Sequence, residues 1–469
     1  MSLDELFLAD RPAVARRGVH LDLKGTPPTA RRLLRLLEIF AALHYDAVLV
    51  EWEDTFPWTV DERFRCETAY TPEQVAAFHE AAARLGIEVI PLVQCLGHME
   101  TPLAAPPYQR LREVPHRADV LNPLAEGARE LIEKMVDDVL AAAPDARHLH
   151  LGGDEAWSFG THPDTKAYVE AHGKGALYLH HVEPILDKLN ARSVRPILWH
   201  DMMIDWDPDA LRRLAEKCDL CVWGYSGHPD TTEHHYNTQY IQRFADHGIR
   251  LWGATAYKGA SGHNVDVTDL EVHRANATAW AEVAQRFGME GVFATAWSRY
   301  STHNVHCETI DASLDSLVNV AAILHDGTAP EGGIDACIAA LDRLGEKERF
   351  QACKGAMEKL SAVRRAGWQA VQRLRELTAM AALDARRRTG GGLIRFLAAL
   401  KSCLVEADAA AEAVRQAYDG LVEPIWIERY VAERIEPLRD ELAAMEPQVR
   451  QLDPEGHAAT FGQETDAPA

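Results

Sequence analysis

The sequence predicts an α/β protein, a (β/α)8 TIM barrel followed by a C-terminal α-helical domain. Short apolar runs alternate with helix-length amphipathic segments about eight times before residue 325, which is typical of a parallel sheet with crossover helices. From about Gly327 glycine becomes rarer, and Ala, Leu, Arg and Glu recur at helical spacing through Val449. We therefore expect residues 1–326 to form the barrel and residues 327–469 to form a helical domain with a frayed tail.

Each element of the barrel is predicted from its own apolar run. The eight predicted strands are 17–23, 47–53, 88–94, 148–152, 195–200, 220–224, 250–256 and 291–297. Amphipathic segments such as 28–43 and 72–85 are predicted as the intervening helices. Polar or aromatic clusters lie at the ends of most strands, where barrels of this type keep their functional residues. In the C-terminal region, the apolar stripes of 367–385 and 421–445 predict packed helices, and fraying is expected from His457.

Composition limits the partners that this protein can have. The chain has 469 residues, 47% of them hydrophobic and 26% charged, as expected for a globular protein with a sizeable core. Its formal net charge of -22 disfavours nucleic acid and anionic membrane surfaces as partners. The N-terminal residues are acidic where a signal peptide needs a basic start, so we expect a cytoplasmic protein. Its eight cysteines are expected to be reduced, and a homodimer is the default oligomer.

The strongest functional signal is segment 148–157, in which an apolar run ends at two glycines followed by Asp154, Glu155 and Trp157. Glycines at a strand end allow a sharp turn and the close approach of a ligand. Adjacent carboxylates repel, so one tends to have a raised pKa and the other a low pKa. That pair supplies an acid and an anion at the same pH, which suits glycosidic bond cleavage. A helix N-cap with a first-turn acid would have the same sequence.

Five motifs, one of them within segment 148–157, carry a resemblance to a known family. They are Arg17-Gly-Val-His20, Glu53-Asp54-Thr-Phe-Pro57, His150-Leu-Gly-Gly-Asp-Glu155, Lys258-Gly-Ala260, and Trp297-Ser-Arg-Tyr300 followed by Cys307-Glu308. On these residues the sequence resembles family 20 of the glycoside hydrolases, the β-N-acetylhexosaminidases, and within it the hexosaminidase D branch. The resemblance covers about residues 15–325. It implies an exo-acting, retaining enzyme that removes terminal β-linked GalNAc or GlcNAc from a carbohydrate or glycoconjugate.

The resemblance also implies a substrate-assisted reaction that needs no metal or cofactor. Glu155 would be the general acid, and the acetamido carbonyl of the substrate would attack its own anomeric carbon. Asp154 would hold the acetamido N–H and stabilise the oxazolinium intermediate. Arg17 would grip sugar hydroxyls, and His98, with Asp54, would orient the general acid. Because Asp154 is its neighbour, we expect Glu155 to have the raised pKa.

Other residues complete the predicted sugar site. Three tryptophans resemble the aromatic walls that enclose the N-acetyl group and stack under the sugar ring: Trp199, Trp223 and Trp297. Tyr225 and Tyr257 are both candidates for the tyrosine that binds the acetamido oxygen, and Tyr225 is preferred. Many family members have a glutamate two residues after the last-strand tryptophan, but position 299 is Arg here, and Glu308 is the predicted substitute. His20 is a further substrate-binding candidate.

Two other functions remain open from the sequence. A metal-dependent barrel hydrolase is one, because several His and Asp residues could supply ligands: His20, His98, His148, His150, His200, Asp154 and Asp201. However, a His-x-His motif on the first strand is absent, and Gly-Gly-Asp-Glu has no role in that scheme. The other is a non-catalytic carbohydrate-binding protein, because function depends on the site rather than on the fold.

Overall fold

The computed structural model describes residues 6–262, 265–301, 304–388 and 390–462. The chain forms two compact units, Met1–Phe350 and Gln351–Ala469. The first unit thus extends past residue 326, because helix Gly333–Arg343 packs against the preceding helix and Glu346 pairs with Arg32 near the first strand. Among the described residues, none of the helices combines the length and hydrophobicity that a membrane span requires.

Eight parallel strands form a closed barrel in chain order, with the last strand paired to the first. They are β1 Arg17–Asp22, β2 Ala47–Glu51, β3 Glu88–Leu92, β4 His148–His150, β5 Arg195–Trp199, β6 Asp219–Trp223, β7 Leu251–Lys258 and β8 Gly291–Ala296. Each strand overlaps a predicted segment, so the predicted fold class is confirmed. Because all eight run the same way, their carboxyl ends meet at one face of the barrel.

The helices of the first unit surround the strands. They are α1 Ala30–Ala42, α2 Pro72–Arg84, α3 Glu100–Ala104, α4 Ala128–Ala142, α5 Pro163–His172, α6 Lys174–Ala191, α7 Pro208–Ala215, α8 Thr238–Asp246, α9 Leu270–Phe287, α10 Leu314–Asp326 and α11 Gly333–Arg343. Six of them start at a residue whose side chain caps the helix. Thr71, for example, caps α2 with a reciprocal bond to Gln74, and Pro72 occupies the first turn.

Side chains of alternate strand residues enter two separate apolar layers. Inward residues such as Leu49, Ile90 and Ile197 fill the barrel interior, whereas Val48 and Val50 join the layer under the helices. The same alternation continues to the strand ends. It directs Trp199, Trp223 and Trp297 inward at the carboxyl face, where they pack against the upper part of the interior cluster.

Buried ion pairs cover the amino-terminal face of the barrel. Glu88, at the start of β3, pairs with Arg16, Arg147 and His148. The hydrogen bond and charge of His148, with those of Arg16, outweigh burial and lower the pKa of Glu88 to about 2. Charged residues at this face therefore hold strand starts together and leave the opposite face for chemistry.

The second unit is helical, as predicted for this region. Its helices are α12 Lys347–Leu383, which begins within the first unit, and α13 Gly392–Ala417, α14 Pro424–Leu452 and α15 Pro454–Phe461. The prediction of fraying from His457 is wrong as far as Phe461, because Asp453 caps α15 and His457 pairs with Glu446. Residues 463–469 of the predicted tail lie outside the described residues.

Candidate active site

The turn after β4 presents the two carboxylates. Gly152 and Gly153 have φ angles of 59° and 81°, in the left-handed region that favours glycine. A Cβ on Gly152 would collide with the Gln94 amide, and one on Gly153 would collide with the Tyr178 hydroxyl. Gln94 Oε1 accepts the Gly153 N–H at 3.3 Å. The two glycines are therefore required by the close packing of this turn.

His98 bridges the two carboxylates. Its Nε2 lies 3.4 Å from Asp154 Oδ2 and 3.5 Å from Glu155 Oε2. Burial opposes a charge on this imidazole, but the Asp154 carboxylate and hydrogen bonds to both acids raise the pKa of His98 well above its usual value. The hydrogen bond from His98 in turn lowers the pKa of Glu155, against the effect of burial. The expectation of a raised pKa for Glu155 is wrong in this structure, because His98 stabilises its anion.

Asp201, which follows β5, contacts the turn after β4 that carries Asp154 and Glu155. Its Oδ2 accepts the Glu155 N–H at 2.9 Å, and its Oδ1 accepts the Trp223 Nε1–H at 3.2 Å. Burial and the neighbouring Asp154 carboxylate raise the pKa of Asp201 to about 7. Sequence reasoning considered Asp201 only as a possible metal ligand, although its place two residues after Trp199 at a strand end was a usable signal.

A cavity of about 730 Å³ lies at the carboxyl face and contains both carboxylates in its lining. Its walls include four predicted aromatic residues: Trp199, Trp223, Tyr225 and Trp297. Trp223 stacks on Tyr225 with ring centroids 5.5 Å apart, and Trp297 lies 6.2 Å from both Tyr225 and Trp199. Such a set of aromatic faces can enclose an apolar substituent and stack against a sugar ring.

Residues to which sequence reasoning assigned no role form the mouth of the cavity. They include Trp157 and a segment between β3 and β4 that contributes Arg112, His116, Arg117 and Asp119. The connection from Leu92 to His148 is long for a barrel loop, and long loops at this face usually carry function. Its length was the signal that could have identified the segment.

A buried charge cluster lies under the aromatic floor. His20, one of the predicted binding residues, is fully buried 3.5 Å from Glu51 and 4.7 Å from the Trp297 ring, so it supports the floor. Lys24 Nζ lies 3.1 Å from both Asp22 and Glu51. Its charge holds the pKa of Glu51 well below its usual range despite complete burial. The network fixes Trp297 from below.

Comparisons with known proteins identify the family of this chain. The model of glycosyl hydrolase family 20, catalytic domain, matches residues 54–309, more than half of the chain. Hexosaminidase D of Bos taurus is 34% identical over 321 residues, which are 66% of this chain and 92% of that protein. Hexosaminidase D of Homo sapiens is 34% identical over 322 residues, which are 66% of each chain.

Solved structures share the fold. The chitobiase of Flavobacterium johnsoniae superposes with a TM-score of 0.56 at 13% identity, over 94% of this chain and 75% of that one. The β-N-acetylhexosaminidase of Bacteroides fragilis gives 0.54 at 16% identity, over 72% of each chain. At these identities the likeness concerns the fold alone, whereas the family match rests on sequence. The chain belongs to glycosyl hydrolase family 20. It is therefore a glycoside hydrolase that acts on carbohydrate, and its family supports β-N-acetylhexosaminidase activity.

Five of the predicted binding residues do not line the cavity: Arg17, Tyr257, Glu308, His20 and Asp54. Arg17 lies at the amino-terminal start of β1, paired with Asp46 and donating to the carbonyl oxygens of Val14 and His44. Tyr257 is fully buried in the layer under the helices, because it shares its strand face with Thr255, which bonds to Asn276 of α9. We correct both assignments to structural roles.

Glu308 is the third of these residues. It is 1% exposed, and its Oε1 accepts the Gly259 N–H at 2.9 Å. Burial raises the pKa of Glu308, although nearby Lys258 opposes the shift. Lys258 Nζ also donates to the Trp297 carbonyl at 2.6 Å. Glu308 therefore braces the ends of β7 and β8 rather than binding sugar directly, and this assignment too is corrected.

The surroundings of Asp54 also differ from the prediction, which paired Asp54 with His98. Burial raises the pKa of Asp54, and the nearby charge that most opposes the shift is Arg299. The imidazole of His98 lies instead beside the carboxylates of Asp154 and Glu155. The charged group associated with Asp54 is Arg299.

The ligand set of the metal-dependent alternative does not converge in this family 20 barrel. His148 pairs with Glu88 at the amino-terminal face, and His200 bonds to His235 beside α8. Within the described residues, the group whose ligand atoms do converge is a different one, His228, Asp230 and Glu282. Two of these three are exposed, and Asp230 also pairs with Arg286.

Proposed function

We propose that the protein is an exo-acting, retaining β-N-acetylhexosaminidase that releases terminal β-linked GalNAc or GlcNAc by substrate-assisted catalysis. The observation that carries the proposal is the pair Asp154 and Glu155, bridged by His98 at the wall of an aromatic-lined cavity. The pair supplies two adjacent carboxylates with different surroundings: the Asp154 side chain is 9% exposed, whereas the Glu155 side chain is 36% exposed. Different surroundings suit different roles.

In the first step, Glu155 gives its proton to the glycosidic oxygen while the bond from that oxygen to the anomeric carbon breaks. The acetamido carbonyl oxygen forms the new bond to the anomeric carbon, which yields the oxazolinium ion. Asp154 accepts the acetamido N–H, and its charge stabilises the cation. Asp154 Oδ1 is buried and has no hydrogen-bond partner among the described residues, so it is available as that acceptor.

In the second step, water attacks the anomeric carbon and gives its proton to Glu155. The bond between the anomeric carbon and the acetamido oxygen breaks, so the oxazolinium ring opens and the product has the retained configuration. The proton taken from water restores the neutral acid for the next cycle. A bound sugar would cover its exposed carboxyl group, and this loss of solvent favours the neutral acid. The effect opposes the stabilisation of the Glu155 anion by His98.

The floor of the cavity supports exo action. Trp297 packs on His20 at 4.7 Å, and Trp199 packs on His150 at 4.2 Å, both within the filled barrel interior. A sugar chain cannot pass through this layer, so only a terminal residue would fit against it. Tyr225 lines the same cavity and is the tyrosine that we assign to the acetamido oxygen.

The test measures release of 4-nitrophenol from the β-N-acetylglucosaminide, the β-N-acetylgalactosaminide and the plain β-glucoside. Wild type is expected to hydrolyse the acetamido sugars only, and Asp154→Ala is expected to lose at least about 100-fold in kcat. Asp209→Ala is the matched control, because its side chain is 85% exposed and pairs with Arg212 on the surface. Turnover of the plain glucoside would contradict substrate assistance, and loss of activity in a chelator would favour the metal-dependent alternative.

A further inference from the structure

Trp157 is the most exposed large hydrophobic residue that the structure describes in the barrel unit, with 73% of its surface accessible. Single exposed apolar residues are common and need no explanation by themselves. Trp157 differs from the others because it lines the cavity that holds Asp154 and Glu155. The turn that carries the catalytic acid fixes it in place, since the Trp157 N–H donates to the Glu155 carbonyl at 2.7 Å.

The position of Trp157 relative to Glu155 is informative. A general acid protonates the departing oxygen, so the group attached to that oxygen must lie on the Glu155 side of the site. The four aromatic residues of the inner cavity lie at or just beyond the ends of β5, β6 and β8. Trp157 lies instead beyond β4, two residues after the acid and at the mouth.

The mouth also includes the segment with Arg112 and His116. Arg112 is held in place by its own bonds to the carbonyl oxygens of Leu103 and Pro115, at 3.0 Å each. Arg117, in the same segment, pairs with Asp119. These polar groups and the indole of Trp157 form two chemically different parts of the entrance, one able to bind hydroxyl groups and the other an apolar face.

We propose that Trp157 is the platform of an aglycone subsite that binds the flat apolar face of the departing group, a second pyranose or an aryl ring. This inference rests on the proposed function, because it takes Glu155 as the acid. The C–H face of a pyranose and the face of an aryl ring share the chemistry that an indole recognises. The subsite contributes to the choice of glycoconjugate, whereas the inner cavity selects the N-acetylated sugar.

The test compares three β-N-acetylhexosaminides of the sugar that wild type prefers: the 4-nitrophenyl glycoside, a disaccharide, and the trifluoroethyl glycoside, whose small leaving group has no flat face. In Trp157→Ala, kcat/KM is expected to fall about tenfold for the disaccharide or the aryl glycoside and less than about twofold for the trifluoroethyl glycoside. Trp157→Phe is expected to restore most of the loss, because it keeps an aromatic face. Trp368→Ala, at a partly exposed tryptophan of the second unit, is the control.

The outcomes separate the two proposals. Loss for the disaccharide alone would assign the platform to sugars, and loss for the aryl glycoside alone would assign it to aromatic groups. An equal loss for all three substrates, or no loss for any, would overturn the subsite while leaving the proposed function intact. If wild type hydrolysed none of the three, the proposed function would fail and the subsite with it.

Discussion

The Asp201 carboxylate holds the backbone of Glu155, since its Oδ2 accepts the Glu155 N–H at 2.9 Å. Glu155 has a φ of 47°, a conformation that costs a non-glycine residue about 1–2 kcal/mol. The same carboxylate accepts the Trp223 indole N–H through Oδ1. One side chain thus positions both Glu155, the proposed acid, and a wall of the aromatic cavity, without itself being among the cavity-lining residues.

Asp201→Asn tests this positioning role. The amide has one acceptor oxygen where the carboxylate has two, so one of the two N–H groups loses its partner, and we expect kcat to fall about 10- to 100-fold. Asp209→Asn is the surface control, and a wild-type kcat in Asp201→Asn would contradict the role.

His98→Asn tests the charge shared between the carboxylates. His98 lowers the pKa of Glu155, so removing its charge is expected to raise that pKa. Glu155 must be protonated to act as the acid, and the alkaline limb of kcat/KM should therefore move to higher pH, by about one unit or more, while kcat falls. Glu155→Gln identifies the limb by removing it. An alkaline limb that stayed in place or moved to lower pH would show that His98 does not control Glu155.

The sequence predicted the fold well because strand parity and apolar runs are local signals. The catalytic turn was also predictable, since Gly152, Gly153 and the two acids are adjacent. Arg17 was misassigned although it is the first residue of the predicted strand 17–23, which places it at the amino-terminal face, opposite the end that carries function. The alternation of side chains along β7 could have excluded Tyr257 from the sugar site. Trp252 and Ala254 face the barrel interior, so Tyr257, at an odd-numbered position, faces the helices.

The remaining differences depend on contacts between distant segments. Glu308 bonds to Gly259, and Asp201 bonds to Glu155 and Trp223, and no local pattern predicts either arrangement. The pKa of Glu155 depends in the same way on His98. A pair of neighbouring acids indicated that their pKa values would differ, but only the location of the imidazole decided the direction for Glu155.

Gly153→Ala tests the packing of the catalytic turn. The added methyl group would meet the Tyr178 hydroxyl, which donates to the Gly153 carbonyl at 3.1 Å, at a φ of 81°. We expect a loss of about 2–4 kcal/mol in the free energy of unfolding together with a large loss of kcat. Gly248→Ala is the matched control, because Gly248 has a φ of 82° with nothing near its Cβ position. It should lose about 1 kcal/mol and keep its activity, and an equal effect of both changes would show that backbone conformation alone matters at Gly153.

Lys24→Met tests the charge cluster below Trp297. Lys24 is 3% exposed, and its removal leaves Asp22 and Glu51 buried without their cation, so we expect the free energy of unfolding at pH 7 to fall by about 3–5 kcal/mol. The folded-state pKa of Glu51 is lowered in wild type, so its stabilising contribution is present above the unfolded pKa and is lost as pH falls below it. In the variant the pKa of Glu51 should rise, and the difference from wild type should therefore be smaller at pH 4 than at pH 7. Denaturant unfolding at both pH values measures this difference in the free energy of unfolding.

Lys134→Met, at an exposed pair with Glu130, is the control and should lose no more than about 0.5 kcal/mol. A loss of similar size in Lys24→Met would mean that the buried cation does not stabilise the floor of the site.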